Sequence, residues 1–313
     1  MKLLRALACA ATLAFVLASS AAAQPALTSI KVGLVPSDDI TPVLYAVRSG
    51  MFKKAGLDVQ LFPSSSGTAV AQAVVGGSYE IGKSSLVSLM NAHLRGLPLY
   101  LIAAGGVYDT SAPYAELVVA PDSRYKTGKD LDGKLIGVPA LNDLNVVVAD
   151  GWVDQHGGDS KSLKFLEIPN SAATAALGEH RIDAYVMLYP PLAAALDGKK
   201  VKILGPAYDS VAKHFVFAGW FSTKTWADAH PDIVKKFTGV LYQAAAYTNK
   251  HHAETAPMIA DMTKIPVETI EHMPRTDGST AMSPREIQPL IDSAAKYKLI
   301  PDAFPAKDLI WTP

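Results

Sequence analysis

Cysteine is nearly absent from this chain of 313 residues, which contains only Cys9. Cys9 lies in an apolar stretch near the N terminus, and most of that stretch follows it, whereas a lipid-bearing cysteine comes after its apolar run. The remainder of the chain therefore has no disulfide, no cysteine nucleophile and no thiolate metal ligand. Its stability has to come from packing, for which 49% hydrophobic residues are ample.

Excess charge of either sign is also absent, because Lys+Arg and Asp+Glu both number 29. The sequence has no basic stripe of the kind that binds nucleic acid, and no acidic or basic tail. Neither the G-x-S-x-G pattern of hydrolases nor the H-E-x-x-H pattern of metalloproteases occurs. His251 and His252 are neighbours on a predicted helix and face different sides of it, so they would chelate a metal poorly. We predict a protein without enzymatic activity, metal or cofactor.

The first residues have the pattern of an export signal. Lys2 and Arg5 are basic, residues 7–18 are nearly all apolar, and three consecutive alanines end at Ala23. The apolar run has about a dozen residues, whereas a helix that spans a membrane needs roughly 20. We predict that residues 1–23 form a signal peptide that is cleaved near Ala23.

Strand-like and helix-like patterns alternate along most of the chain. Residues 57–62 alternate apolar and polar side chains, as in a half-buried strand, and Pro42 follows Thr41 as at the start of a helix. The strand–helix–strand order runs through residues 30–103 and again through residues 135–204. It predicts an α/β fold in which helices cover the faces of mainly parallel sheets. From Thr225 onwards, apolar residues spaced by three and four predict helices.

Several short strings, taken in their order and spacing, resemble one protein family. They are residues 42–46, 50–59, 77–82, 96–99, 129–138 and 181–184. The family is that of the bacterial periplasmic substrate-binding proteins of ABC transporters for nitrate, taurine and other alkylsulfonates, and thiamine-precursor pyrimidines. The resemblance covers most of the chain after the predicted signal peptide.

This resemblance implies the type II periplasmic binding protein fold. Each of two lobes would be a mainly parallel sheet flanked by helices, and two crossover strands, near Val118 and Phe217, would join the lobes. Residues 24–121 and 213–313 would form lobe 1, and residues 122–212 lobe 2. The protein would be a periplasmic monomer that closes on a small-molecule ligand and docks on the membrane permease of an ABC transporter. A secreted enzyme on the same scaffold and a sensor that feeds a membrane receptor are the alternatives.

Loops at the ends of the predicted strands supply the candidate ligand contacts of lobe 1. These are Ser37, Asp38, Thr41, Ser66, Gly67, Thr68, Lys83, Ser84, Ser85 and Gly106. Backbone N–H groups at helix starts and serine hydroxyls suit an anion or a carbonyl oxygen. Lys83 would pair with a carboxylate or sulfonate if it faced the cleft, and would otherwise be a surface lysine. Asp38 and Asp39 could hold an amine, but we favour a polar turn before a Thr41 cap.

The candidates of lobe 2 and of the hinge are Leu141, Asn142, Leu188, Tyr189 and Trp220. Asn142 or its neighbour Asp143 could instead cap the helix that follows. Tyr189 could stack on a flat ligand or pack within the lobe. Together with Tyr108 and Tyr114, Trp220 would wall the cleft. We predict capture of a small anionic or heteroaromatic organic solute, such as a sulfonate, a carboxylate or a pyrimidine-like ring.

Overall fold

The computed structural model describes residues 26–313, so the predicted signal peptide, with Cys9, lies outside the described residues. Two five-stranded sheets and one three-stranded sheet form the framework, and helices connect their strands. The predicted α/β fold is confirmed. Within residues 26–313, no helix combines the length and the apolar character needed to cross a membrane.

The first sheet contains strands from both ends of the described chain. They are β1 (Thr28–Leu34), β2 (Leu57–Pro63), β3 (Ile81–Ser85), β4 (Leu99–Ala104) and β12 (Ala218–Thr223). Their order across the sheet is β2-β1-β3-β12-β4, and β12 alone runs against the others. The connecting helices are α1 (Thr41–Arg48), α2 (Met51–Lys54), α3 (Gly67–Val75) and α4 (Leu86–Leu94). Gly50 separates α1 from α2 with a φ of 73°, which glycine adopts without strain.

The second sheet repeats this arrangement. Its strands are β6 (Ala115–Val119), β7 (Leu135–Val138), β8 (Lys164–Glu167), β9 (Ala184–Leu188) and β10 (Lys202–Pro206). The order is β10-β6-β9-β7-β8, and β6 alone runs against the others. The connecting helices are α5 (Leu144–Gln155), α6 (Asn170–Gly178) and α7 (Pro191–Asp197). The strand–helix rhythm seen twice in the sequence therefore corresponds to two sheets of the same strand order.

A small linking sheet lies where the chain passes between the two large sheets. It consists of β5 (Gly106–Asp109), β11 (His214–Val216) and β13 (Asp277–Gly278) in the order β11-β5-β13. The chain reaches the second sheet through β5 and returns to the first through β11. The predicted crossover near Phe217 falls between β11 and β12. The predicted crossover near Val118 is wrong, because Val118 pairs with Tyr185 and Ile203 inside the second sheet.

The same pairing affects the predicted lobe boundary. Residues 24–121 are assigned to lobe 1 from the sequence, yet β6 lies within that range and pairs with β9 and β10. The strands within residues 122–212, β7 to β10, all belong to the second sheet, and β12 belongs to the first. That two such lobes move as units stays a prediction.

Five helices follow β12. They are α8 (Lys224–Ala229), α9 (Pro231–Thr248), α10 (His252–Thr263), α11 (Val267–His272) and α12 (Pro284–Lys296). Apolar residues of α9 recur at helical spacing and are buried, among them Val234, Phe237 and Leu241. Phe237 stacks on Phe52 of α2 with ring centroids 5.2 Å apart. This packing fixes the helices of the first sheet and, through them, the loops that follow its strands.

Candidate ligand-binding site

Lys83, in the middle of β3, is buried, with 4% of its surface exposed, and its ammonium forms an ion pair with Asp39. Lys83 Nζ also donates to Ser37 Oγ at 3.2 Å, and Ser37 Oγ donates to Asp39 Oδ1 at 2.5 Å. Ser37 and Asp39 follow β1, which pairs in parallel with β3. The carboxyl ends of neighbouring parallel strands meet at one edge of a sheet, which brings these side chains together. Lys83 is therefore not a surface lysine, and Asp39 balances its charge.

Asp38 forms a second buried pair with Arg275. Arg275 Nε donates to Asp38 Oδ1 at 2.8 Å, and the Thr276 N–H donates to Asp38 Oδ2 at 2.6 Å. Burial raises the pKa of Asp38, while the Arg275 guanidinium acts in the opposite direction. Thr41 begins α1, and its hydroxyl donates to the Asp38 carbonyl at 2.7 Å and accepts from Arg275 at 3.2 Å. Asp38 and Asp39 do lie in a single turn before α1, as predicted, but both are buried and both have a basic partner. The predicted Thr41 cap is wrong, because Thr41 is the first residue of α1 and its side chain caps no helix N–H group.

Three aromatic residues, the aromatic cluster, lie beside these pairs. They are Tyr114, Tyr208 and Phe217, and all three belong to segments that lead from one large sheet to the other. Tyr114 stacks on Phe217 with ring centroids 4.5 Å apart, and Tyr208 meets Phe217 edge-on at 5.6 Å. Burial and nearby carboxylates raise the pKa of Tyr114 and Tyr208 well above the usual value. Their hydroxyls are therefore neutral groups that can donate a hydrogen bond.

Ser85 and Asp143 connect the two large sheets. Ser85 ends β3 in the first sheet, Asp143 precedes α5 in the second, and Ser85 Oγ donates to Asp143 Oδ1 at 2.5 Å. Asp143 Oδ1 also accepts the Leu144 N–H at 2.7 Å, and Ser85 Oγ accepts the Val87 N–H at 3.2 Å, so both side chains cap helices. Burial raises the pKa of Asp143, whereas the bond from Ser85 lowers it. We use the name polar cluster for Ser37, Asp38, Asp39, Lys83, Ser85, Asp143 and Arg275.

Gly106 of β5 lets the linking sheet approach the polar cluster closely. A Cβ atom at this position would lie 2.8 Å from Cβ and Oδ2 of Asp39 and 2.5 Å from the Phe217 ring. No larger residue fits unless Asp39 or Phe217 moves. Gly106 therefore belongs at the site for steric reasons, as a residue that holds the loop after β1 against β5.

We expect Gly106→Ala to lower the free energy of unfolding by about 1–2 kcal/mol, the usual cost of overpacking. Urea denaturation of the parent and of Gly106→Ala measures this loss of stability. Gly178→Ala is the matched control, because a Cβ atom at Gly178, the last residue of α6, meets no atom within 4 Å. A Gly106→Ala protein as stable as its parent would show that the contact with Asp39 is looser than the structure has it.

The comparison with protein families decides what this architecture is. Residues 37–255, more than half of the chain, match the family described as NMT1/THI5 like. The chain belongs to the NMT1/THI5-like family. A relative from Brachyspira hyodysenteriae, described as an ABC transporter periplasmic binding protein, is 26% identical over 210 residues. That match covers 59% of this chain and 57% of the relative, so the chain spans little more than half of the relative's length.

Solved structures share the fold of this NMT1/THI5-like protein at low sequence identity. The periplasmic aliphatic sulphonate-binding protein SsuA of Escherichia coli has a TM-score of 0.75 at 17% identity, over 91% of this chain and 97% of SsuA. The periplasmic nitrate-binding protein NrtA of Synechocystis PCC 6803 also has a TM-score of 0.75, at 13% identity, over 90% of this chain and 84% of NrtA. The resemblance to periplasmic substrate-binding proteins and the predicted fold class are confirmed.

Most of the sites predicted near the strand ends of the first sheet adjoin the polar cluster in this NMT1/THI5-like protein. Ser66 caps α3 by accepting the Ala69 N–H at 3.2 Å. A Cβ atom on Gly67 would lie 2.3 Å from Ser84 Oγ, so the start of α3 rests against the end of β3. Thr68 is exposed and stands apart from this contact.

The structure does not bring the other predicted residues into the polar cluster. Leu141 and Asn142 are exposed. Trp220 is a core residue rather than a cleft wall, because it is 1% exposed and its ring meets Phe237 at 5.7 Å. Leu188 ends β9, and the Tyr189 N–H donates to the Tyr114 carbonyl at 3.0 Å, which places Tyr189 next to the aromatic cluster. Contact of any of these residues with a ligand stays a prediction.

One sequence pattern near the site is misleading. Residues 77–84 read G-S-Y-E-I-G-K-S, which fits the G-x-x-x-x-G-K-S pattern of phosphate loops. In a phosphate loop these residues form the turn between a strand and a helix, and free backbone N–H groups face the phosphate. Here Gly82, Lys83 and Ser84 lie inside β3 and are paired with β12. The segment is therefore a sheet strand and not a phosphate-binding loop.

Proposed function

We propose that this chain is the periplasmic solute-binding component of an ABC uptake transporter, and that it delivers its solute to a membrane permease. Membership of the NMT1/THI5-like family and the description of the Brachyspira hyodysenteriae relative support this role. The fold shared with sulphonate- and nitrate-binding proteins supports it as well. In this proposal the protein binds its solute without changing it chemically.

The observation that carries the proposal is that the polar cluster spans both large sheets. Ser85 comes from the first sheet and Asp143 from the second, while the chain crosses between the sheets only at the linking strands β5 and β11 in the described part. A solute bound there would contact both sheets at once. Movement of the sheets about β5 and β11 would then open and close the site, as in hinged domain closure.

The charges of the site favour an organic ring over a simple anion. Lys83 and Arg275 already form ion pairs with Asp39 and Asp38, so a sulfonate or nitrate would have to displace a buried carboxylate. The aromatic cluster, in contrast, offers ring faces and neutral hydroxyls. We therefore propose that the solute is a small organic compound with a planar ring, which is one of the two solute types predicted from the sequence.

A thermal-shift screen of the protein without residues 1–23 tests the proposal. The panel contains pyrimidines, aromatic carboxylates, alkylsulfonates, taurine, nitrate and amino acids. A compound at 100 times its dissociation constant stabilises the folded state by roughly 2.7 kcal/mol. We expect stabilisation by ring compounds, each recovered unchanged. A folded protein that responds to no compound, or that converts one, would contradict the proposal.

A variant pair then tests the aromatic cluster. We expect Tyr114→Leu to lower the affinity for the ring compound about three- to tenfold, the size of one lost aromatic contact. Tyr79→Leu is the control, because Tyr79 stacks on Phe62 at 5.3 Å and neither belongs to the aromatic cluster. Calorimetric titration measures both affinities. Equal affinities for the two variants would remove Tyr114 from the site.

A further inference from the structure

Carboxylates outnumber cations in the polar cluster. Its carboxylates are Asp38, Asp39 and Asp143, and its cations are Lys83 and Arg275. Both oxygens of Asp38 are engaged, one by Arg275 and the other by Thr276. Asp39 is held by Lys83 and Ser37. Asp143 is thus the one carboxylate of the polar cluster without an ion-pair partner within 4.0 Å, although Lys83 lies near enough to lower its pKa.

The hydrogen bonds of Asp143 leave one of its oxygens available. The Ser85 hydroxyl and the Leu144 N–H both donate to Oδ1, so neither bond engages Oδ2. The Ser85 hydroxyl is a neutral donor from the opposite sheet, and a charged donor can take its place. A protonated nitrogen would form an ion pair as well as a hydrogen bond with Asp143, whereas the Ser85 hydroxyl supplies a hydrogen bond alone.

One ring of the aromatic cluster, that of Tyr208, lies near this carboxylate. Tyr208 lies near enough to Asp143 and Asp39 for both carboxylates to act on its hydroxyl, and its ring meets Tyr114 at 5.7 Å. Aromatic faces attract cations as well as planar rings. The surroundings of Asp143 therefore combine a carboxylate without an ion-pair partner with an aromatic ring that tolerates a cation.

We propose that the solute carries a protonated nitrogen and that Asp143 binds it, in place of the Ser85 hydroxyl, as the residue that determines specificity. This inference rests on the proposed function and narrows the solute to ring compounds with an amine or amidine group. Binding would also close the site, because the protonated nitrogen would lie between Asp143 of the second sheet and the end of β3 in the first.

The test uses matched compounds, in which each ring is supplied as an amine, an alcohol, a carboxylate and a sulfonate; benzylamine, benzyl alcohol, benzoate and phenylmethanesulfonate are one set. We expect the amines to bind tightest. Asp143→Asn should weaken amine binding at least about 30-fold, as for a lost buried charge pair, and alter alcohol binding less than about threefold. Asparagine caps helices as well as aspartate does, so this variant should fold.

Asp150→Asn is the control for Asp143→Asn. Asp150 lies on the same helix, α5, and is likewise a buried carboxylate without a basic partner, but it is seven residues away, or about 10 Å along the helix axis. It should leave amine affinity unchanged. Amine binding that survives Asp143→Asn, or is lost equally in Asp150→Asn, would overturn the role of Asp143.

The remaining outcomes separate this inference from the proposed function. Preferred binding of the carboxylates or sulfonates would overturn the protonated-nitrogen inference and leave solute capture intact. Absence of binding by every member of every set, to a protein that melts cooperatively, would overturn solute capture at this site together with the inference.

Discussion

Replacing Arg275 by alanine is expected to lower the free energy of unfolding by about 3–5 kcal/mol, the cost of removing one partner of a buried ion pair. Asp38 is fully buried, and without Arg275 its carboxylate would keep only the Thr276 N–H and lose its balancing charge. Urea denaturation at neutral pH measures the loss. The double variant Asp38→Asn with Arg275→Met should lose less than Arg275→Ala, because it leaves no unpaired charge.

The control for this prediction is an ion pair at the surface. Arg48 Nη2 lies 2.9 Å from Asp261 Oδ2, but the two side chains are 46% and 67% exposed. Arg48→Ala should therefore cost less than about 1 kcal/mol, as exposed pairs usually do. Similar losses of unfolding free energy for Arg48→Ala and Arg275→Ala would show that the buried pair of Arg275 with Asp38 does not stabilise the loop after β1.

The stability of the protein is expected to depend on pH through Glu116 of β6. Burial and the nearby Asp209 carboxylate raise the pKa of Glu116 to about 7, and its Oε2 has no hydrogen-bond partner among the described residues. A carboxyl group whose pKa is higher in the folded than in the unfolded chain takes up protons on folding. Its ionisation therefore destabilises the protein as the pH rises through about 7.

We expect Glu116→Gln to stabilise the protein at pH 8 by about 1–3 kcal/mol and to change its stability little at pH 4.5. The range allows for screening by solvent. Urea midpoints across this pH interval measure the difference. Glu179→Gln serves as the control, because Glu179 is exposed and forms a surface pair with Arg181. If the urea midpoints of the parent and of Glu116→Gln depended on pH in the same way, ionisation of Glu116 would not be what destabilises the protein.

Regular strands and helices were predictable because alternating burial leaves a trace in the sequence. In β2 the apolar residues Leu57 and Val59 are buried and Gln60 is exposed. The predicted strand, residues 57–62, is one residue shorter than β2. β5 and β6 have no such trace. All five residues of β6 are buried and three of the four in β5 are, so neither strand alternates. The sequence therefore does not reveal which sheet each of them joins, and it predicts the first crossover too far along the chain.

The site was predictable where it follows the strand ends, and not where distant segments complete it. Ser37 lies in the loop after β1 and Ser85 ends β3, as the strand pattern indicates, whereas Lys83 lies inside β3 and not in a loop after it. Arg275 pairs with a residue 237 positions earlier, and no periodic pattern marks it. Since its partner is set by tertiary packing alone, the balance of charge around Asp38 and Asp39 could not be read from the sequence. Asp143 was recognised only as a possible helix cap.

Hydrogen exchange with and without the best-binding ring compound tests the central claim most directly. Capture between the sheets predicts slower exchange at three places together: the loop around Asp38, the end of β3 around Ser85, and the start of α5 around Asp143. These segments belong to both large sheets and meet at the polar cluster. Protection confined to one sheet, or to the surface groove lined by Lys54 and Lys235, would contradict capture at this site.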